Sequence, residues 1–212
     1  SLPSNLSTEV ISDRFSTVVA MSGRVFYSGL NRGNHEDSNV ILFSRIIEGA
    51  SSGVSVDSAG LGDCHQKNDP TSEDFSDLLD DDGGVIRIPE AYGIRKLHQF
   101  NNSVFVFAEN GVWQIKGVDD VFRATGFAVN KISSVGLFNR ETFVSADGIP
   151  FWWSDQGIHT LGFDGQTFQA AENNISISTI QTFFDKIDST QKSKCTGVFD
   201  PLNKRVFCII RC

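Results

Sequence analysis

The chain has 212 residues, 40% of them apolar and 11% aromatic, enough to bury a substantial core in one large domain or two small ones. Its 26 acidic against 18 basic residues give a formal net charge of −8, which excludes a protein that wraps nucleic acid with a basic surface. No apolar run approaches the ~20 residues of a membrane helix. The first residues, SLPSNLSTEV, carry neither the basic nor the apolar part of a signal peptide, so a soluble, unexported chain is expected.

In chain order, the first strand signal is AMSGRVFYSG, with Ser22-Gly23 as a turn and Val25, Phe26 and Tyr27 as a strand. A third strand, NVILFS, follows after an insertion. Residues 47–91 form a long stretch rich in Gly, Ser and Asp, an excursion of the kind that is either functional or disordered. Within it DPTSEDFSDLL carries a helix start: Thr71 with Asp74 fits a capping box, and Phe75, Leu78 and Leu79 follow at helical spacing.

The next stretch, VFVFAENGVWQI at 104–115, has no polar face, which an ordinary half-buried hairpin would show. Shifted by 46 residues it lies on PFWWSDQGIHTL at 150–161, so that Phe107 meets Trp153 and Gly111 meets Gly157. Upstream, Asn101-Asn102 falls on Asp147-Gly148, both pairs tolerant of the positive φ of a tight hairpin turn. Residues 94–116 and 140–162 are therefore predicted to be two equivalent meanders with Gly111 and Gly157 at matching turns. SISTIQTFFDKI then predicts a short amphipathic helix, with Ser178 as cap and Ile180, Phe183, Phe184 and Ile187 on one face. GVFDPLNKRVFCII closes the chain as a last hairpin, turning at Pro201 to Lys204.

A period of about 46 residues with three or four strands per unit is that of β-propeller blades, and face-to-face blade packing explains strands buried on both sides. The fold predicted is all-β: antiparallel meanders forming a partial or irregular β-propeller, with two short helices and the long insertion. A β-sandwich is the competing architecture, but its strands normally keep an outward polar face. With no initiator Met, and with RVFCIIRC stopping inside an apolar strand, the sequence is expected to be a segment of a larger polypeptide.

Little of the chemistry-bearing content forms a constellation. Cys64, Cys195, Cys208 and Cys212 show neither a CxxC pair nor disulfide-framework spacing and are expected to be reduced. His35, His65, His98 and His159 lie in no metal-ligand spacing, and Cys64-His65 reads as a loop thiol. SADGIPFWW and WSDQGIHTL resemble a Ser-x-Asp-x-Gly turn box with the Asp and Gly misplaced, and even a true box is a structural turn. No Gly-rich phosphate loop is present. No catalytic, cofactor-binding or metal-ligating residue is assigned, and no cofactor is expected. From Asp69 to Asp82 there are seven carboxylates and no Lys or Arg. They read as a solvated face, as a negatively lined channel, or as a contact surface for a neighbouring subunit, with Asp77, Asp80, Asp81 and Asp82 as the candidates.

The ordered set GRVFYSGL, ILFSRIIE, NDPTSEDFSDLLDDDGGVIRIPEA, FVFAENGVWQIKG, VNKISSVG, PFWWSDQGIHTL and TIQTFFDKI resembles the tail nozzle or tail tubular proteins of short-tailed bacteriophages over nearly the whole chain. The resemblance implies a non-enzymatic virion protein, assembled in the host cytoplasm as a ring, expected to be a hexamer, at the distal tail. It implies contact with other tail proteins such as an adaptor, and transient passage of genomic DNA without sequence-specific binding. A non-viral propeller scaffold and a propeller glycosidase are the competing functions; the second requires clustered carboxylates at a pocket mouth.

Overall fold

The computed structural model describes residues 15–30, 38–46, 78–163 and 170–210. Strands β1 (Thr17–Met21), β2 (Arg24–Ser28), β3 (Val40–Phe43) and β4 (Gly84–Arg87) form the first sheet. The second contains β5 (Ile94–Phe100), β6 (Ser103–Ala108), β7 (Gly111–Gly117) and β8 (Phe127–Ser133). The third contains β9 (Val144–Ala146), β10 (Ile149–Trp153), β11 (Ile158–Phe163) and β12 (Ala170–Asn174). After two short helices, α1 (Gln181–Asp185) and α2 (Ser189–Ser193), strands β13 (Cys195–Asp200) and β14 (Arg205–Ile210) make a two-stranded hairpin. All four sheets are antiparallel, and the fold is all-β and propeller-like.

Each four-stranded sheet opens with a two-residue turn whose central residues both have positive φ, the type I′ geometry that matches strand twist. These turns are Ser22-Gly23 (φ 51° and 71°), Asn101-Asn102 (45° and 51°) and Asp147-Gly148 (51° and 87°). The 46-residue register therefore holds in the backbone, with the two meanders in separate sheets. The second turns differ: Glu109-Asn110 joins β6 to β7, whereas four residues, 154–157, join β10 to β11. Glycine is required at the end of both for lack of space. A Cβ at Gly111 would lie 2.7 Å from the Ser133 carbonyl oxygen, and one at Gly157 would overlap the Ser176 hydroxyl.

The chain divides into two compact units, residues 1–106 with 114–130 and residues 107–113 with 131–212. In the first, Phe26 and Phe43 of the first sheet meet Phe122 edge-on, at ring-centroid distances of 5.0 and 5.1 Å. Thr17 Oγ1 accepts the Leu97 amide at 2.9 Å, tying β1 to β5. In the second unit Phe107 packs edge-on against Phe143 at 5.0 Å and Trp152 at 5.2 Å. Trp153 packs against Phe184 at 5.1 Å and shares a cluster with Ile187 and Cys195. Strand β6 is buried along its entire length, on both faces, as its unbroken apolar run predicts.

Two expectations are corrected, and a third falls almost wholly outside the described residues. Residues 84–87 belong to the first sheet as β4, so the insertion predicted over 47–91 ends earlier. Its predicted helix lies outside the described residues, apart from Leu78 and Leu79, which are not helical. The later helix does not start at Ser178: the Asn174 carboxamide oxygen accepts the amides of Ser176 and Ile177, and regular helix begins at Gln181. Consequently Phe184 and Ile187 are buried while Ile180 and Phe183 face solvent. The second helix, α2, was not predicted. Its Asp188 cap accepts from the amides of Thr190 and Gln191, a signal present in the sequence as Asp188-Ser-Thr-Gln.

Candidate functional site

The acidic run meets the rest of its unit at Arg24. This residue directly follows the Ser22-Gly23 turn on β2, in a strand that is otherwise apolar or hydroxylic, and it is 1% exposed. Its guanidinium lies over the rings of Phe43 and Phe122, 5.6 and 5.7 Å from their centroids. Its Nη1 donates to the carbonyl oxygens of Ser44 at 2.9 Å and Asp81 at 3.4 Å, and also to that of Asp82; Nη2 donates to that of Asp80. Burial pulls the guanidinium below its ordinary pKa, and the charges of Asp81, Asp82 and Asp80 oppose that pull. An arginine remains charged in proteins, so this is a buried cation held by a planar fork that matches several carbonyls at once.

The turn is fastened from outside as well. The Asp81 carbonyl accepts the Ile46 amide at 3.0 Å and the Asp80 carbonyl accepts the Ala124 amide at 3.2 Å. The Asp82 carboxylate, itself buried, accepts the Leu79 amide at 2.9 Å. The Asp80 carboxylate is exposed, accepts the Thr125 hydroxyl and lies 3.8 Å from Arg123 Nε. Asp81 is exposed. Of the four candidate acids, Asp77 lies outside the described residues, Asp82 faces inward as a structural group, and Asp80 and Asp81 present carboxylates to solvent on a fixed backbone.

Arg24 is the residue that sequence reading missed. Its signal was a lone guanidinium inside a strand with no neighbouring carboxylate in sequence. Its partners in the acidic turn are 56 to 58 residues away, across the insertion.

A second polar network lies in the other unit. Ser154 Oγ accepts the amides of Gln156 at 2.8 Å and Gly157 at 3.1 Å and sits 2.9 Å from His159 Nε2. His159 Nδ1 pairs with Glu172, whose other oxygen is 3.4 Å from the Ser133 hydroxyl, and the imidazole stacks on Trp152. The order Ser, His, Glu is that of a hydrolytic triad, but the geometry is that of a clamp. The serine is buried, its oxygen accepts two backbone amides of its own turn, and its hydroxyl also reaches the Gly157 carbonyl oxygen at 3.3 Å, so the group is tied to the turn. The segment read from sequence as a structural turn thus holds a turn, and His159, read as scattered, orders it. His35, His65 and Cys64 lie outside the described residues.

Cys195 and Cys208 are free thiols. Burial, reinforced by Cys208, pushes the Cys195 thiol up to about 11, and Cys208 Sγ accepts the Trp153 indole N–H at 3.1 Å. Both are packing groups in this environment. Among the described residues no group of three or more His, Cys, Asp or Glu side chains is placed to hold a metal, and no helix is long and apolar enough to cross a membrane. No family model matches the chain, and no curated protein matches it closely enough to mark a relative.

Proposed function

We propose that the chain is a structural, non-enzymatic subunit of the tail of a short-tailed bacteriophage, one copy of a ring, taken as a hexamer, that surrounds the path of the exiting DNA. In this role it meets other tail proteins such as an adaptor and touches genomic DNA only in passing. The ordered sequence resemblance and the propeller-like fold support the reading, and the observation that carries it is the acidic turn. Desolvating an arginine costs several kcal/mol unless its donors are matched; here Nη1 and Nη2 are matched to the carbonyls of Ser44 and of the acidic turn, while the buried Nε has no hydrogen-bond partner among the described residues. A merely solvated loop has no need of that anchor. The anchor's effect is to hold the Asp80 and Asp81 carboxylates outward at a constant place.

Fixed negative charge suits a conduit wall, because phosphate backbones are retained chiefly by Lys and Arg, and a wall with outward carboxylates does not grip the sliding polymer. The test is the double substitution Asp80→Asn, Asp81→Asn in a phage assembled with this chain. Asp82 is left intact because it holds the Leu79 amide. The expected result is normal tails whose DNA ejection slows, more so at low ionic strength, where wall charge is least screened. Failure of ring assembly instead would assign the two acids to the subunit contact. Normal assembly with normal ejection at every salt concentration would remove the turn from function.

A further inference from the structure

The connection from β7 to β8 meets the acidic turn, and its burial pattern fixes what it shows to solvent. Phe122 and Ala124 are buried, so the residues that alternate with them, Arg123 and Thr125, point outward and are exposed. The Phe122 ring is held edge-on by Phe26 and Phe43, and the Gly126 amide donates to the Arg123 carbonyl at 3.1 Å, which closes the segment into a turn. The backbone that carries Arg123 is therefore fixed on both sides of it. Between the two outward residues the Ala124 amide donates to the Asp80 carbonyl at 3.2 Å, and this bond brings the Asp80 side chain within reach of both. Its Oδ1 accepts the Thr125 hydroxyl, and its Oδ2 lies 3.8 Å from Arg123 Nε. All of these residues belong to the first compact unit.

An exposed pair of a carboxylate with a guanidinium adds little to stability. Its effect here is on the charge that the surface offers. The Arg123 side chain is half exposed, and an unpaired guanidinium is well shaped to bind a phosphate, because its parallel N–H donors match two oxygens at once. Asp80 sets a negative charge against that guanidinium. Thr125 ties the other carboxylate oxygen to a fixed donor, so the carboxylate cannot leave Arg123 without breaking a second bond. Asp81, the next residue, is exposed on the same turn. We infer that the two acids have different tasks: Asp81 presents negative charge to solvent, whereas Asp80 masks Arg123, with Thr125 as the residue that positions the mask. The inference deepens the proposed tail role, in that the wall releases DNA because its arginine is already occupied as well as because a carboxylate faces out. It rests on that role for the consequence in ejection and not for the mask itself.

Two experiments separate the mask from its consequence. The first treats the full 212-residue chain with phenylglyoxal, which adds to accessible guanidinium groups, and follows Arg123 by peptide mass mapping. A guanidinium that faces a carboxylate reacts slowly, so Asp80→Asn and Thr125→Val are each expected to raise the rate at Arg123 at least about threefold. Thr125→Ser, which keeps the hydroxyl, is expected to stay near the parent rate. The rate at the exposed Arg140, in the other unit, is expected to be the same in every variant and so reports that each is folded. An unchanged rate at Arg123 in Asp80→Asn overturns the inference, and an unchanged rate in Thr125→Val overturns the part given to Thr125. The second experiment measures ejection in a phage assembled with this chain. Asp80→Asn and Asp81→Asn remove one negative charge each, but the first also frees a cation, so at low ionic strength it is expected to slow ejection at least about threefold more than the second. Adding Arg123→Gln to Asp80→Asn is expected to abolish that excess. Equal slowing by the two single variants means that net charge alone matters and overturns the masking role in ejection. If neither slows ejection, the tail reading of the turn falls, and the labelling rates decide the mask on their own.

Discussion

Arg24→Ala is expected to lower the unfolding free energy by ~3–5 kcal/mol, the range for removing one partner from a buried charged network. The loss has two sources. The carbonyls of Ser44, Asp80, Asp81 and Asp82 lose their shared donor, and the space between the Phe43 and Phe122 rings is vacated. Arg24→Lys keeps the charge but replaces a planar fork with a point donor that cannot serve Ser44 and the acidic turn together, so it is expected to recover only part of the loss. Urea denaturation gives the magnitude. Hydrogen exchange gives the location: amide protection is expected to fall at Asp82, whose amide bonds to the Leu79 carbonyl, before it falls in β6. A loss below about 1 kcal/mol, with unchanged exchange at Asp82, would mean that the arginine does not anchor the turn.

Trp153→Ala and Phe107→Ala are each expected to cost ~3–5 kcal/mol through lost transfer energy and an unfilled cavity. The two side chains stand at the same place in successive repeats and are both buried. Trp153 also donates its indole N–H to Cys208 and packs on Phe184, and Phe107 makes edge contacts with two further rings. Ile209→Ala, at the same repeat position in the hairpin, is the internal control. Its side chain is exposed, so its cost in the isolated chain is expected to stay near 0.5 kcal/mol or less. Equal costs at all three positions, measured by denaturant midpoint at constant slope, would contradict the repeat alignment.

The parts of the fold that were legible in the sequence are those set by local chemistry. Asn101-Asn102 and Asp147-Gly148 announce turns because few residues accept positive φ twice in succession, and the structure has positive φ at all four. The unbroken apolar run of β6 announces burial on two faces, and burial on two faces implies stacked sheets. What escaped lacks a local signature. Strand β12, AAENN, carries no alternating pattern and is a strand because β11 supplies its partners, from His159 paired with Asn174 to Phe163 paired with Ala170. Strand β4 joins the first sheet from the far side of the insertion, where no repeat register reaches it.

The candidate site divides in the same way. The charge of the acidic run is plain in the sequence, whereas its division into an inward Asp82 and outward Asp80 and Asp81 depends on an arginine more than fifty residues upstream. The Ser154–His159–Glu172 clamp is similar: Ser154 and His159 are neighbours in sequence, but Glu172 reaches His159 only because β12 lies beside β11.

The assignment to a tail structure is tested most directly by labelling. Antibody raised against this chain and coupled to gold is applied to the tailed particles produced in cells that express it, and the particles are viewed by electron microscopy. Label confined to the distal end of the tail is the expected result, at a site that also blocks DNA ejection when antibody is bound. Intact, infectious particles that carry no label, with all of the protein recovered free in the lysate, would contradict a role in the virion.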